Sequence, residues 1–344
     1  MLYTLIRPFL FLLDAEYAHQ LSLRLLKKFP RLLAKDSIDD AVEIMGIQFP
    51  NRVGLAAGLD KNADYFVELS ALGFGFVEVG TVTPLPQPGN EKPRLFRLKE
   101  QQAIINRMGF NNLGVDHLLQ QVKSRHFSGV LGINIGKNKQ TDNDHAIDDY
   151  LTVLEKIYEI ADYVTINISS PNTPDLRALQ FGEPLKKLLG KLKEKQLDLY
   201  GLHDRYVPLV VKIAPDITVD QLATLSNILV ETKIDGVIAT NTTVSREYVK
   251  DSKFAEEAGG LSGAPLTDRS NQVIASLRKQ LPEKFPIIGV GGIMNAEDAV
   301  EKIRAGADLV QIYTGFIFYG PDLIHDSALA IKNYFAEQKI MAKK

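Results

Sequence analysis

Short apolar runs alternate along the chain with segments whose apolar residues recur at helical spacing, from about residue 50 onward. The runs are rich in Val, Ile and Leu, and turn-forming residues bound them, which is typical of buried strands. They predict eight strands, at 53–57, 76–80, 130–135, 163–168, 207–213, 236–239, 286–290 and 309–312.

A helical segment follows each predicted strand. The spacing predicts these helices at 63–72, 115–124, 147–160, 184–195, 219–231, 268–280, 296–305 and 321–335. Strand–helix units repeated in this way predict an α/β fold, a (β/α)8 TIM barrel, rather than an open doubly wound sheet. The first strand is not followed by G-x-G-x-x-G, which also weakens a dinucleotide-binding interpretation.

The amino-terminal residues have a different pattern. Their apolar residues keep helical spacing on both sides of Asp14, which predicts an extension of two short amphipathic helices. Residues 1–35 carry six basic and two acidic side chains, and their longest apolar run, 9–13, is far too short to span a bilayer. The helices either pack on the main domain as ordinary structure or anchor the protein in a lipid interface. We therefore divide the chain into an extension, 1–40, and a barrel domain, 41–344, which begins with a hairpin at 42–50 that closes the barrel's amino-terminal end.

Composition excludes several classes of chemistry. The chain contains no cysteine, so disulfides, thiolate-bound zinc, iron–sulfur clusters and a cysteine base are excluded. Its six histidines are scattered without metal-binding spacing, and we expect no metal site. The formal net charge of -2 gives no overall field that would favour nucleic acid.

Polar and glycine-rich residues follow every predicted strand. They lie at 56–62, 80–84, 134–138, 167–174, 211–215, 239–243, 289–293 and 311–315. One such segment alone would be ordinary turn chemistry, since Gly, Asn and Thr are common in loops. In a barrel the carboxyl ends of all strands meet on one face, where active sites are built. Their convergence predicts a site for a small, hydrogen-bonding ligand.

The last two strand ends indicate what is bound. Gly-Val-Gly-Gly at 289–292 and Thr-Gly at 314–315 expose backbone N–H groups at the usual phosphate position of barrels. With Lys61 and Lys212 at the mouth, this site fits flavin mononucleotide (FMN), because a cation near the flavin stabilises its reduced anion. Lys212 has two other interpretations, a Schiff-base lysine and a lysine whose side chain extends outward to solvent.

Ser170 lies in the richest of these segments, where the run 164–168 opens into Ser, Pro, Asn and Thr. No histidine is near it in sequence, which argues against a hydrolytic triad. If Ser170 acts, it moves a proton rather than attacking an acyl group.

Six motifs carry a family resemblance. They are GLAAGLDK at 54–61, GTVTPLPQPG at 80–89, NRMGFN at 106–111, NISSPNT at 167–173, ATNT at 239–242 and GVGGI at 289–293. In this order they resemble the dihydroorotate dehydrogenases, and the quinone-dependent, membrane-associated class (class 2) in particular. The soluble classes lack the basic amphipathic extension and use cysteine where this chain has Ser170.

The resemblance implies oxidation of (S)-dihydroorotate to orotate in de novo pyrimidine biosynthesis, with FMN as hydride acceptor and a membrane quinone as final electron acceptor. It implies that Ser170 takes the proton from C5 of dihydroorotate while a hydride leaves C6 for flavin N5. A serine hydroxyl is a weak base, so a proton relay through Thr173 or an ordered water is part of this hypothesis.

The resemblance also assigns binding residues. The substrate residues it implies are Lys61, Asn106, Arg107, Met108, Gly109, Phe110, Asn167, Asn172, Asn241 and Thr242. The FMN residues it implies are Ala57, Gly58, Leu59, Asp60, Lys61, Thr81, Asn134, Asn167, Lys212, Thr240, Gly263, Gly292, Tyr313 and Thr314. The extension would form an apolar quinone tunnel with polar contacts at His19, Arg97 and Tyr313. We expect a monomer in peripheral contact with lipid, on the cytoplasmic face of the bacterial inner membrane.

Two other functions compete with this one. A barrel lyase or aldolase would use Lys212 or Lys61 as a Schiff base and would be colourless. A membrane adaptor would use the barrel only as a scaffold, which leaves the polar residues at every strand end unexplained.

Overall fold

The computed structural model describes residues 2–30, 32–173 and 175–341. Six residues lie outside these ranges: Met1 and residues 342–344 at the ends of the two expected domains, Arg31 in the basic extension and Pro174 in the fourth strand end.

The strands of the described residues alternate with helices along the chain. The strands are β1 Val42–Ile44, β2 Ile47–Phe49, β3 Val53–Leu55, β4 Phe76–Val82, β5 Leu95–Leu98, β6 Ala103–Asn106, β7 Val130–Ile135, β8 Tyr163–Asn167, β9 Leu209–Ile213, β10 Gly236–Ala239, β11 Gly260–Gly263, β12 Ile287–Val290 and β13 Leu309–Ile312. The helices are α1 Leu2–Leu10, α2 Ala15–Lys28, α3 Phe66–Ser70, α4 Val115–Lys123, α5 Ala146–Ile157, α6 Gly182–His203, α7 Val219–Glu231, α8 Thr267–Gln280, α9 Ala296–Arg304, α10 Thr314–Tyr319 and α11 Pro321–Met341.

The predicted barrel is confirmed. In the described residues, eight parallel strands close in the order β3-β4-β7-β8-β9-β10-β12-β13, and β13 pairs with β3. Every residue of β4, β7, β8 and β9 is buried, because helices cover the outer face and side chains fill the inside. This burial on both faces explains the uninterrupted apolar runs in the sequence.

The hairpin expected at 42–50 is also present. Val42 pairs with Phe49 and Ile44 with Ile47 in an antiparallel register. Phe49 is buried and its ring lies 5.1 Å from that of Phe76, the first residue of β4. The hairpin therefore fills the barrel at the end opposite to the strand carboxyl termini.

A three-stranded antiparallel sheet, β5-β6-β11, lies above the barrel and was not predicted. β5 and β6 form a short hairpin, and β11 pairs with β6 through Gly260 and Asn106. A Cβ atom at Gly260 would lie 1.9 Å from Thr242 Oγ1, so only glycine permits this approach. The sheet carries residues of a distant loop to the mouth of the barrel.

The extension forms the two expected helices, and the Asp14 side chain caps α2 by accepting a hydrogen bond from the Tyr17 amide at 2.9 Å. Helix α1 packs on α10, where the Tyr3 hydroxyl donates to Ile317 O and Arg7 donates to Phe318 O. Leu5 and Phe9 point away from the barrel and are exposed. No helix among the described residues is long and apolar enough to cross a membrane.

Candidate active site

A cavity of about 1020 Å³, open to solvent, lies at the carboxyl ends of the barrel strands. We call it the rim cavity. Among the sequence-predicted residues its lining includes Ala57, Gly58, Lys61, Thr81, Asn106, Met108, Gly109, Phe110, Asn167, Ser170, Asn172, Lys212, Thr240, Asn241, Thr242, Gly263, Gly292, Tyr313 and Thr314. The structure therefore brings together residues from seven of the eight strand ends, and the third, 134–138, lies behind this lining.

The floor of the rim cavity is a closed polar network. Thr81 Oγ1 donates to Asn134 Oδ1 at 2.5 Å, and Asn167 Nδ2 donates to both of these oxygens at 2.9 and 3.1 Å. Asn134 in turn donates to the buried carboxylate of Glu78 at 2.8 Å. Asn134 thus lies behind the lining, where it fixes the orientation of Thr81 and Asn167.

Ser170 lies on the loop that follows β8, where it is largely buried and forms part of the wall of the rim cavity. Its Oγ accepts a hydrogen bond from the Asn172 amide at 3.2 Å, and Asn172 Nδ2 donates to Asn106 O at the same distance. An N–H group that donates to an oxygen stabilises negative charge on it, so this contact favours loss of the Ser170 proton. No hydrogen bond joins Ser170 to Thr173 in the described residues, and the relay stays a prediction.

Two lysines give the rim cavity its positive charge. Lys61 Nζ donates to Gly58 O at 2.7 Å, and desolvation lowers the pKa of Lys61 to about 8. Lys212 is buried, and burial lowers its pKa although the Glu78 carboxylate opposes this shift. The described residues give the Lys212 ammonium no hydrogen-bond acceptor, so it is free to meet an electron-rich group in the cavity.

The seventh and eighth strand ends form a cradle of backbone N–H groups. The amides of Gly292, Thr314 and Gly315 line the rim cavity and donate no hydrogen bond within the described residues. Gly292 has φ +76°, and a Cβ atom there would lie 2.2 Å from Thr267 Oγ1. This cradle could hold a phosphate, and the unpartnered lysine could face a flat ring beside it.

Sequence comparison agrees with this geometry. The model of the dihydroorotate dehydrogenase family matches residues 40–334. A relative from Saccharophagus degradans, named dihydroorotate dehydrogenase (quinone), is 58% identical over 335 residues, which cover 96% of this chain and 99% of the relative. One from Cellvibrio japonicus with the same name is 55% identical over 342 residues, covering 98% of this chain and 100% of the relative. The chain belongs to the dihydroorotate dehydrogenase family.

Solved structures give the same result. The crystal structure of DHODH from Eimeria tenella in complex with ferulenol is 37% identical to this chain, with a TM-score of 0.87. The match covers 94% of this chain and 92% of that one. The ligand-free form from the same organism also has a TM-score of 0.87. Members of the dihydroorotate dehydrogenase family are flavin-dependent oxidoreductases, which decides against the Schiff-base and adaptor alternatives.

A second cavity of about 970 Å³ lies between the extension and the barrel. We call it the extension cavity. Its lining is mainly apolar, and it includes the three expected quinone contacts His19, Arg97 and Tyr313. Lys61, Met108 and Tyr313 line both cavities, so the two meet at these side chains.

Desolvation controls the charges in the extension cavity. It lowers the pKa of His19 to about 3, with a further contribution from the Lys61 ammonium, so His19 is neutral in a cell. It also raises the pKa of Tyr313 to about 12. The Arg97 guanidinium lies 4.3 Å from the ring centre of Phe11, which holds this cation against an apolar wall. The cavity thus offers the neutral His19 and Tyr313 side chains and the Arg97 cation beside an apolar space.

Four expected contact residues do not line the rim cavity: Asn134, which lies behind its floor, and Arg107, Leu59 and Asp60. Arg107 turns away to pair with Glu257 at 2.6 Å. Leu59 lines the extension cavity instead. The Asp60 carboxylate is buried and accepts hydrogen bonds from the Asp64 and Tyr65 amides, so it holds the loop after β3. For these residues the correction is one of side-chain direction, because neighbours in a motif point to opposite sides.

Other lining residues were missed from the sequence. Ser262 reaches the rim cavity on β11, and its hydroxyl accepts a hydrogen bond from Thr314 at 2.8 Å. Gln311 reaches it from inside β13, where its amide donates to Glu78 at 2.7 Å. The Gly-rich segment at 259–263 was the only available signal for Ser262, whereas Gln311 begins the predicted strand end at 311–315 but was not chosen as a contact residue.

Proposed function

We propose that the rim cavity holds FMN together with dihydroorotate and that the extension cavity holds the quinone. The relatives that match nearly the whole chain carry the name dihydroorotate dehydrogenase (quinone), which implies oxidation of dihydroorotate to orotate with a quinone as the electron acceptor. This oxidation is a step of pyrimidine biosynthesis. The observation that carries this proposal is that a polar and an apolar cavity share Lys61, Met108 and Tyr313.

When bound, FMN would accept the hydride from C6 of the substrate and then pass the electrons on to the quinone. For this role we assign the flavin phosphate to the amide cradle of Gly292, Thr314 and Gly315. The Lys212 ammonium, which lacks a protein partner, is the group that balances negative charge on the ring. Thr81 and Asn167 are fixed by Asn134 at the floor of the rim cavity, where their polar groups would bind the flavin ring.

The substrate lies on the side of Ser170 in this proposal. Asn106, Asn172 and Asn241 offer amide groups to the dihydroorotate ring, and Lys61 offers its ammonium to the carboxylate. Ser170 then removes the proton from C5, helped by the Asn172 amide that donates to its oxygen. The hydrogen bond from Asn172 Nδ2 to Asn106 O holds this loop against the wall of the cavity.

The test is anaerobic and uses the colour of the bound flavin. Dihydroorotate should bleach the yellow protein and a quinone should restore its absorbance. Ser170→Ala should slow bleaching by at least about a hundredfold, because a general base contributes a factor of this order. Its flavin content should not change.

Ser124→Ala, which removes an exposed serine hydroxyl, is the control and should bleach at the normal rate. Near-normal bleaching by Ser170→Ala would assign the base to another residue. A colourless protein inactivated by borohydride together with substrate would support a Schiff-base lysine instead.

We further propose peripheral contact with lipid through the exposed apolar side chains of the extension. Basic residues beside them, including Arg24, Lys27 and Lys28, would meet anionic headgroups. This charge supports the cytoplasmic face of a bacterial inner membrane as the location. We expect a monomer, and light scattering in detergent should give the mass of one chain.

A further inference from the structure

One buried lysine has no part in the reaction as proposed. Lys302 on α9 has 0% of its surface exposed. Its Nζ donates to Asn271 Oδ1 at 2.9 Å and to Ser270 Oγ at 3.1 Å, both on α8. Asp268 and Asp298 act on it only from a distance, and no carboxylate of the described residues forms an ion pair with it. Desolvation lowers the pKa of Lys302 to about 7, although Asp298 and Asp268 oppose the shift, so a charged Lys302 calls for a nearby anion.

The hydrogen bonds of Lys302 lead to the amide cradle. Ser270 Oγ donates to Val290 O at 2.6 Å, and the same carbonyl accepts from the Thr240 amide at 2.8 Å. Val290 is the last residue of β12, and Gly291 and Gly292 follow it in the lining of the rim cavity. Lys302 therefore connects to the cradle through one side chain and one carbonyl.

The backbone of the cradle is packed tightly on α8. A Cβ atom at Gly291 would lie 3.2 Å from Ser270 Cβ, and Thr267 Oγ1 donates to Gly292 O at 2.8 Å. Below it, a Cβ atom at Gly289 would lie 3.4 Å from Lys302 Cδ. Residues at the start of α8 thus pack against the backbone at 291–292, and the aliphatic part of Lys302 packs against β12.

We propose that Lys302 is a positioning residue for the flavin phosphate. It orients Ser270, and through Ser270 the turn at 290–292, and it supplies a buried positive charge behind the amides of the cradle. A phosphate dianion at the cradle would be the counterion that Lys302 lacks among the described residues. The two charges would interact strongly because the lysine is shielded from water. The inference rests on the proposed function, which assigns the phosphate to the cradle.

Two flavins separate this role from a purely structural one. Riboflavin carries the same ring as FMN and lacks the phosphate. We compare their dissociation constants for the full-length chain by quenching of flavin fluorescence, in wild type and in Lys302→Met. Methionine is one atom shorter than lysine, keeps most of its apolar stem and removes its charge and its two hydrogen bonds.

Lys302→Met should weaken FMN binding by about tenfold and riboflavin binding by less than about twofold, since only the phosphate senses the lost charge. Lys279→Met removes an exposed lysine from the same helix that carries Ser270 and should change neither constant. If Lys302→Met does not fold, Ser270→Ala tests the proposal instead. It removes the hydrogen bond to Val290 O and should weaken binding of FMN more than binding of riboflavin.

The outcomes distinguish this inference from the function on which it rests. Equal losses for both flavins, or no loss for FMN, would overturn the role of Lys302 and leave the FMN assignment intact. A wild-type protein that binds riboflavin as tightly as FMN would overturn the phosphate assignment itself.

Discussion

At the scale of single residues, Lys61 shows how position sets chemistry. Its ammonium lies where the rim and extension cavities meet and donates to Gly58 O at 2.7 Å. Desolvation lowers its pKa to about 8, and the nearby Arg94 adds to this effect while Glu16 opposes it. An ordinary lysine stays charged well beyond this range, so the charge of Lys61 is sensitive to mildly alkaline pH.

The KM for dihydroorotate should therefore rise above about pH 8. The ammonium of Lys61 binds the substrate carboxylate only when it is protonated, and well above its pKa the charged fraction falls tenfold for each pH unit. Lys61→Arg should move this rise to higher pH, because a guanidinium keeps its proton. Steady-state KM measured from pH 6 to 10 at saturating quinone gives the profile.

The control for this prediction is Lys61→Met, whose KM should be high and should not change across the same range. An unchanged KM in the wild type up to pH 10 would show that Lys61 does not bind the carboxylate. A rise that persists in Lys61→Met would assign the titration to another group.

The sequence indicates these residues more reliably than it indicates their directions. The motif at 106–111 correctly led to the rim cavity, yet Arg107 points away because Glu257 offers it a carboxylate. Asn134 likewise lies one layer below the lining and acts on its neighbours. Such partners are distant in sequence, so a motif cannot specify which of its side chains turns inward.

At the scale of elements, the turn between β4 and β5 joins three loops. Asn90 Nδ2 donates to Arg107 O at 3.0 Å and to Asn172 O at 3.3 Å, and its Oδ1 accepts from Lys139 at 3.0 Å. The bond to Asn172 holds the loop that carries Ser170. Asn90 was not predicted, because it neither lines a cavity nor belongs to a strand end.

Asn90→Asp should lower kcat/KM for dihydroorotate by at least about tenfold. The carboxylate has nearly the same shape, but it cannot donate to the two carbonyls, and each lost hydrogen bond contributes about 0.5–1.5 kcal/mol. Flavin content and the rate of quinone reduction by pre-reduced enzyme should remain normal. Stopped-flow measurement of the two half-reactions separates these effects.

Lys139→Met is the matched control, because it removes only the exposed contact to the same amide. Its effect on either half-reaction should be below about twofold. An equal decrease of both half-reactions in Asn90→Asp would indicate a general loss of folding rather than a loosened loop.

The sequence predicts best the elements that can be recognised from their own run of residues. The barrel strands are mostly apolar, with a few buried polar residues such as Glu78 and Asn134, because both of their faces are covered. The sheet β5-β6-β11 was missed because β11 pairs with a strand far earlier in the chain, and its four residues are half glycine. The spacing of apolar residues gives no signal for a pairing between two strands so far apart in sequence.

At the scale of the whole molecule, the extension and the barrel create the second cavity only together. Helix α2 is fixed by Glu16, which forms a buried ion pair with Arg94 at 2.8 Å. Helix α1 is fixed by Tyr3 and Arg7 on the carbonyls that end α10. One face of the extension therefore packs on the barrel, and its opposite face exposes apolar side chains.

That opposite face is the basis of the last prediction. Leu5 is 70% and Phe9 71% exposed on α1, so none of the described residues covers them, and lipid would do so. Burying such a side chain contributes about 1.5–3 kcal/mol, so Leu5→Glu with Phe9→Glu should lower partition into phosphatidylglycerol vesicles by about a hundredfold. Flotation in a density gradient measures the bound fraction.

Leu202→Glu is the control for this experiment, because Leu202 is 75% exposed but lies on α6, outside the extension. It should float like the wild type, and the double variant should keep its flavin and its bleaching by dihydroorotate. Since neither Leu5 nor Phe9 lines the extension cavity, a water-soluble quinone should still reoxidise the double variant. Flotation unchanged by the double variant, or reduced as much by Leu202→Glu, would mean that α1 does not hold the protein at the membrane.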